Sequence, residues 1–193
     1  GRYSASPESA FAKDIRLIGE QGVQKTLKDI EDAVLSDNFW SVQLSQNLTY
    51  VSTINPTYQV FLAAQVFFRK ESLLSHIPVS ELITLGGDIH HIFPKQYLID
   101  NGFDKSMYNQ VANYTYLDTP VNILIGGKKA PKAYFNEAIG IMANGDENSL
   151  DSNLADNCIP MGVVNMEAND FMSFLEQRRA LMTDLIKKYY YSL

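Results

Sequence analysis

The stretch "GGDIHHIFPKQYL", Gly86–Leu98, holds two of the three histidines in a chain of 193 residues. They stand side by side between a diglycine and Pro94. "DIHHIFP" reads as a short strand-like run ended by the proline, because proline cannot donate to a ladder. "KQYLIDNG" follows as a helical turn or two closed by Gly102. "YNQVANYTYLDTPVN" then supplies the β-formers Tyr114, Thr115 and Tyr116, and "PKAYFNEAIGIMA" returns to helical periodicity. The order over residues 86 to 135 is therefore strand, connection, strand, helix. A histidine doublet at a strand edge is by itself more often a satisfied polar pair than a site. Beside Asp88 it is also a compact group able to bind a cation and move a proton near neutral pH.

Three pieces of this region are able to converge: "DIHHIFP" with His90 and His91, "VANYTYL" with Asn113, and "PVNILIGGKKAPKAY" with Asn122, Lys128, Lys129 and Lys132. Phosphodiester hydrolysis needs a base that takes a proton from water, a divalent cation that neutralises charge on the scissile phosphate, and a group that fixes the base's ring. Histidine, an oxygen or imidazole pair, and an amide meet those needs in turn. Asparagines alone mean little, since Asn101, Asn109 and Asn136 nearby read as turn residues. Lys128, Lys129 and Lys132 are placed as phosphate-binding, although "GGKK" by itself is more often a solvated turn than a phosphate cradle.

The order His-His, then Asn, then Asn on a strand-strand-helix frame resembles the HNH, or ββα-metal (His-Me finger), nuclease superfamily. The wording "HHIFPKQYL … ANYTYLD … NILIGGKKAPKAYF" resembles the C-terminal nuclease domain of GmrSD-type modification-dependent restriction proteins, and "GRYSASPESAFAKDIR" and "IPMG … FLEQRRALM" resemble the flanks of that domain. The resemblance implies that His91 is the general base, His90 a metal ligand, Asn113 the residue that orients the base's strand, and Asn122 the second metal ligand. It also implies magnesium or manganese as cofactor, DNA as partner, and a role in restriction or phage defence. The N-terminal nucleotide-hydrolysing sensor domain of such proteins has no counterpart here, so the chain is expected to be a fragment.

Neighbouring residues on a regular strand point to opposite faces, so His90 and His91 share a site only if the strand ends or kinks at His91. Gly86, Gly87 and Pro94 make irregular backbone plausible there. Asp88, two residues before His90, is an alternative ligand or a carboxylate hydrogen-bonding a ligating imidazole. Imidazole suits manganese or a later transition metal better than magnesium, which prefers carboxylate oxygen.

The rest of the chain reads as helical scaffold over residues 1–85. Ser6 is placed as N-cap, Pro7 opens a helix carrying Phe11, Ile15 and Ile18 at helical spacing, and Gly22 punctuates it. Val23, Leu27, Ile30 and Val34 continue the stripe, "PTYQVFLAAQVFFRKESLL" is apolar nearly all round, and Trp40 belongs to core or interface. His76 reads as a loop histidine. Residues 86–145 form the HNH-like core; in 146–193 a loop over "NGDENSLDSN" leads to a long closing helix with Phe171, Phe174, Leu175, Leu181 and Leu185 as its apolar positions. The fold class expected is mainly α with a small ββα insertion, in one compact domain.

Composition narrows the function. A net charge of −6 argues against non-specific coating of nucleic acid, while residues 88 to 135 carry five lysines against four aspartates. The single cysteine, Cys158, excludes an internal disulfide and points to a reducing, cytoplasmic setting. No segment has the roughly 18 apolar residues of a membrane span, and "GRYSASPESAF" lacks the apolar run of a signal peptide. The reading is a metal-dependent DNA endonuclease domain. The alternative is a helical regulatory or partner-binding domain with a degenerate nuclease site; a zinc-structured module is weaker because ligands for a closed tetrahedral site are missing.

Overall fold

A computed structural model describes residues 3, 5–142 and 147–193, without the side chains of residues 88, 124, 139–142, 147 and 148. In chain order the elements are α1 (Pro7–Gln21), α2 (Val23–Val34), a π-helical turn (Phe39–Gln43), α3 (Leu44–Asn47), α4 (Pro56–Phe67), α5 (Val79–Leu85), β1 (Asp88–His91), α6 (Lys95–Asp100), α7 (Lys105–Tyr108), β2 (Tyr114–Leu117), α8 (Thr119–Ile125), α9 (Pro131–Met142), α10 (Glu147–Asp156) and α11 (Phe171–Tyr190). Short 3-10 turns fall at Val111–Asn113, Met161–Asn165 and Ala168–Asp170. The protein is mainly helical with one small antiparallel sheet, as the sequence leads one to expect.

The chain divides into two compact units, residues 1–46 and 47–193. In the first, Pro7 opens α1 as expected, and Gly22 at φ 85° turns the chain into α2 after a single residue. Ser6 occupies the N-cap position, but its side chain makes no capping bond. The stripe of Phe11, Ile15 and Ile18 is present and exposed; the buried residues of the two helices are Asp14 and Thr26.

The second unit is built on α11. Its inward face is Phe171, Phe174, Leu175, Arg178, Met182 and Ile186, and it packs on α4 and on the turns at Val111–Asn113 and Ala168–Asp170. Leu181 and Leu185 sit at the edge of that face rather than in it, with Leu181 exposed and Leu185 half-buried. Phe93 anchors the sheet in this core, its ring centroid 4.8 Å from Phe174 and 5.1 Å from Phe171. α5 packs on β2, and α8 lies against both β1 and α9. Cys158 is a buried core residue whose thiol burial pushes up to about 11, which leaves it unreactive at neutral pH.

One expectation needs correction. The segment read as a loop from Asn144 is helical from Glu147 to Asp156, while residues 143–146 lie outside the described residues. The inward face of α10 holds Asn153 beside Leu150 and Leu154, and this buried amide hides the apolar period. Asn153 accepts from Leu74 N at 2.8 Å and donates to the carbonyls of Ser72 and Ser75 at 2.9 and 3.1 Å, so it fastens the loop before α5. The stretch after β2 is helix α8, with Pro120 in its first turn and Gly126 at φ 63° ending it.

Candidate functional site

β1 and β2 pair as an antiparallel ladder in which Asp88 faces Leu117, Ile89 faces Tyr116, His90 faces Thr115 and His91 faces Tyr114. The ladder is regular to its last residue, so β1 neither kinks nor ends before His91. Alternation therefore sends His90 and His91 to opposite faces. The His90 face is also that of Thr115, whose hydroxyl donates to Asn157 Oδ1 at 3.2 Å in the buried interior. The His91 ring sits edge-on to Tyr114, with centroids 4.9 Å apart, and 6.3 Å from Tyr108.

The two residues after His91 are held without slack. Ile92 N donates to the Asn113 carbonyl at 2.8 Å, and Tyr134 Oη donates to the Ile92 carbonyl at 2.7 Å. Phe93 N donates to Asn113 Oδ1 at 2.8 Å, while Asn113 Nδ2 donates to the Phe93 carbonyl and the Tyr108 carbonyl, both at 3.1 Å. All four backbone polar groups of Ile92 and Phe93 are thus satisfied by two fully buried residues. Asn113 fixes the end of β1 through the backbone, and Tyr134 on α9 does the same from the other side. Tyr134 gave no signal in the sequence, where it reads as one more aromatic of an amphipathic helix.

Asn109, read as a turn residue, bonds His91: its Oδ1 lies 2.9 Å from His91 Nε2. An amide oxygen only accepts, so Nε2 carries the proton and Nδ1 the lone pair. Burial lowers the His91 pKa below 6.5; the bond to Asn109 opposes this and the nearby Lys95 ammonium adds to it. His91 is therefore neutral at pH 7 with one defined basic nitrogen. Lys95, whose Nζ stands 6.0 Å over the Tyr108 ring, is the cation beside this histidine. Spacing from a strand end does not reveal it.

Asn122 is half-buried in the middle of α8, on the helix that packs against β1. His90 and His91 thus lie on β1, Asn113 in the turn before β2 and Asn122 on the helix after it, and the two histidines face apart. Imidazole and amide, the donor types of His90 and Asn122, suit manganese or a later metal better than magnesium. Among the described residues no three His, Cys, Asp or Glu side chains gather at one point, and the Asp88 side chain lies outside the described residues. Of the three lysines read as phosphate-binding, Lys128 is exposed, Lys129 pairs with Glu137, and Lys132 pairs with Glu167 at 3.1 Å. His76 is an exposed loop residue paired with Glu71 at 3.0 Å. Among the described residues no helix is long and apolar enough to cross a membrane.

Compared with protein-family models, with curated proteins and with solved structures, the chain matches none.

Proposed function

We propose that the chain carries a metal-dependent HNH-type endonuclease site that hydrolyses DNA phosphodiester bonds. The observation that carries the reading is the neutral His91, tethered at Nε2 by Asn109 and set on a ledge whose every backbone polar group is bonded to Asn113 or Tyr134. In this reading His91 Nδ1 takes a proton from the attacking water, Asn109 keeps the ring in the tautomer that leaves Nδ1 free, and Asn113 holds the strand end. His90 and Asn122, with Asp88 as a further donor, would hold a divalent cation; when bound, that cation neutralises charge on the scissile phosphate. Lys128 adds a positive charge for the phosphate backbone, and Lys129 and Lys132 do so only when released from their glutamates. The setting is cytoplasmic restriction or phage defence, with a nucleotide-hydrolysing sensor domain as partner.

Incubating supercoiled plasmid at low salt with manganese or magnesium tests this. Slow nicking by the wild-type chain is expected, lost with EDTA and in His91→Ala. Equal nicking by both proteins counts as contamination and removes the support.

A second reading is favoured by two observations: the regular β1 pleat turns His90 away from His91, and two of the three lysines are paired with glutamates. On that reading the ββα unit is a degenerate nuclease site in a helical regulatory domain. It predicts that the plasmid stays intact under every condition above.

A further inference from the structure

Lys95 is a cation held in place without being neutralised. It opens α6 four residues after His91, and the peptide groups of Ile92 and Phe93 between them are bonded to Asn113 and Tyr134, so the two positions share one rigid piece of backbone. Its Nζ stands 6.0 Å from the centroid of the Tyr108 ring, and the His91 ring meets that same buried ring at 6.3 Å and 63°. A ring face orients an ammonium group but leaves it its charge and its N–H donors, whereas a carboxylate would cancel the charge. Among the described residues Lys95 forms no ion pair, while Lys129 and Lys132 are taken up by Glu137 and Glu167.

The first turn of α6 also reaches the glycine-lysine turn. Tyr97 N donates to the Gly127 carbonyl at 3.1 Å, and Tyr97 Oη accepts from Ala168 N at 2.9 Å. Lys128 follows Gly127 and, among the described residues, likewise forms no ion pair. Two ammonium groups that keep their charge thus come from segments joined by one backbone bond, and the first of them shares the Tyr108 ring with His91. Arg179 of α11 is engaged otherwise: it is half-buried and donates Nη1 to Gln110 Oε1 at 3.1 Å. All of these residues belong to the unit 47–193.

We propose that Lys95 is the phosphate anchor of the His91 site: its ammonium group binds a backbone phosphate of the DNA strand lying at His91, and the strand continues from there toward Lys128. The identity of the strand rests on the endonuclease reading; the phosphate chemistry rests on the two lysines. An ammonium group donating to phosphate oxygens makes a charge-assisted bond that fixes the position of a strand without reading its sequence. Orientation on Tyr108 lowers the cost of ordering the long side chain when the phosphate arrives. Lys129 and Lys132 are not required, so the anchor works with both glutamate pairs intact.

Two measurements on the full chain in EDTA, where no cleavage interferes, test the proposal. Inorganic phosphate titrated into the protein should shift the backbone amide signals of Lys95, Tyr97 and Gly127 in NMR; the response should be lost in Lys95→Gln and kept in Lys95→Arg. Binding of a short fluorescein-labelled duplex, followed by anisotropy against salt, should lose about 0.9 from the slope of log K on log salt in Lys95→Gln, the share of one phosphate contact. Affinity at low salt should fall roughly fivefold, alike for different sequences. Lys187→Gln removes the same charge from the last turn of α11 and should keep the wild-type slope. A slope unchanged by Lys95→Gln, or lowered as much by Lys187→Gln, overturns the proposal, and so does phosphate that moves none of the three signals. Phosphate bound without any binding of the duplex would assign Lys95 to a free phosphate ligand and overturn its place on DNA. A duplex held through Lys95 but never nicked when metal is added keeps the anchor and removes the endonuclease reading; nicking with a slope indifferent to Lys95 does the reverse.

Discussion

Arg178 of α11 donates Nη1 to the carbonyl oxygen of Ala112 at 2.8 Å, one residue before the asparagine that fixes the end of β1. Its Nη2 reaches the Asn157 carbonyl at 3.3 Å, and the side chain is fully buried. Burial lowers its pKa to about 10, so the guanidinium stays charged at neutral pH, held by backbone oxygens. The closing helix thereby bolts the sheet to the helical frame. Arg178→Met would remove a costly buried charge but leave two enclosed carbonyls bare; a net loss of about 2–3 kcal/mol in urea unfolding is expected. An unchanged or raised urea midpoint would show that the desolvation of the charge outweighs its two bonds.

Asn113 makes three buried side-chain bonds, two of them to the single residue Phe93. Asn113→Ala should cost about 3–4 kcal/mol, since one amide hydrogen and two carbonyls lose their partners in the interior. Tyr134→Phe removes only the bond to the Ile92 carbonyl and should cost about 1–2 kcal/mol. Because both act on adjacent peptide groups, the double variant should depart from additivity, and urea unfolding of the four proteins reads the coupling. Strict additivity would mean that the two clamps work independently.

His91 should make folding sensitive to mild acid. Its folded pKa lies below 6.5, so between the two values the unfolded chain binds more protons than the folded one. Stability from this group is complete above pH 6.5 and is lost as pH falls toward the lower folded pKa. His91→Gln should flatten the stability curve across that window, and the wild-type ring signals should titrate below 6.5 by NMR. A His91 titrating above 6.5 would mean that the bond to Asn109 outweighs burial.

The legibility of the sequence followed the physics. β1 and β2 were readable because β-formers, the diglycine and Pro94 mark short strands locally, and the start of α1 because Pro7 and Gly22 bracket it. α10 was not, since Asn153 occupies an inward position where periodicity looks for an apolar side chain, and its worth comes from loop carbonyls 78 to 81 residues away in sequence. Arg178 escaped for the same reason: a charged residue in a helix reads as a solvated face. At the site, His91 and Asn113 stood out by residue type, but Asn109, Lys95 and Tyr134 matter through contacts that only the folded chain creates. Regular pairing through His91 follows from four consecutive ladder partners, a fact of register that neither glycine nor proline content encodes.

Asn109 separates a positioned base from an ordinary buried histidine. Its Oδ1 accepts from His91 Nε2 at 2.9 Å, which leaves Nδ1 as the nitrogen with a lone pair. Asn109→Leu removes the acceptor from a half-buried position, so stability should fall by only about 1 kcal/mol while the ring loses its fixed tautomer. Nicking should then drop roughly ten- to a hundredfold, the usual scale for losing a group that orients a functional imidazole. Asn109→Asp restores an acceptor and places a negative charge on it, which raises the His91 pKa; activity should return in part, with its optimum moved to higher pH because the base must be neutral to work. Nitrogen-15 NMR of the ring reads the tautomer whether or not the chain cleaves DNA. A wild-type ring protonated at Nδ1 would sink the assignment of the base nitrogen, and Asn109→Leu with wild-type nicking would remove Asn109 from the site.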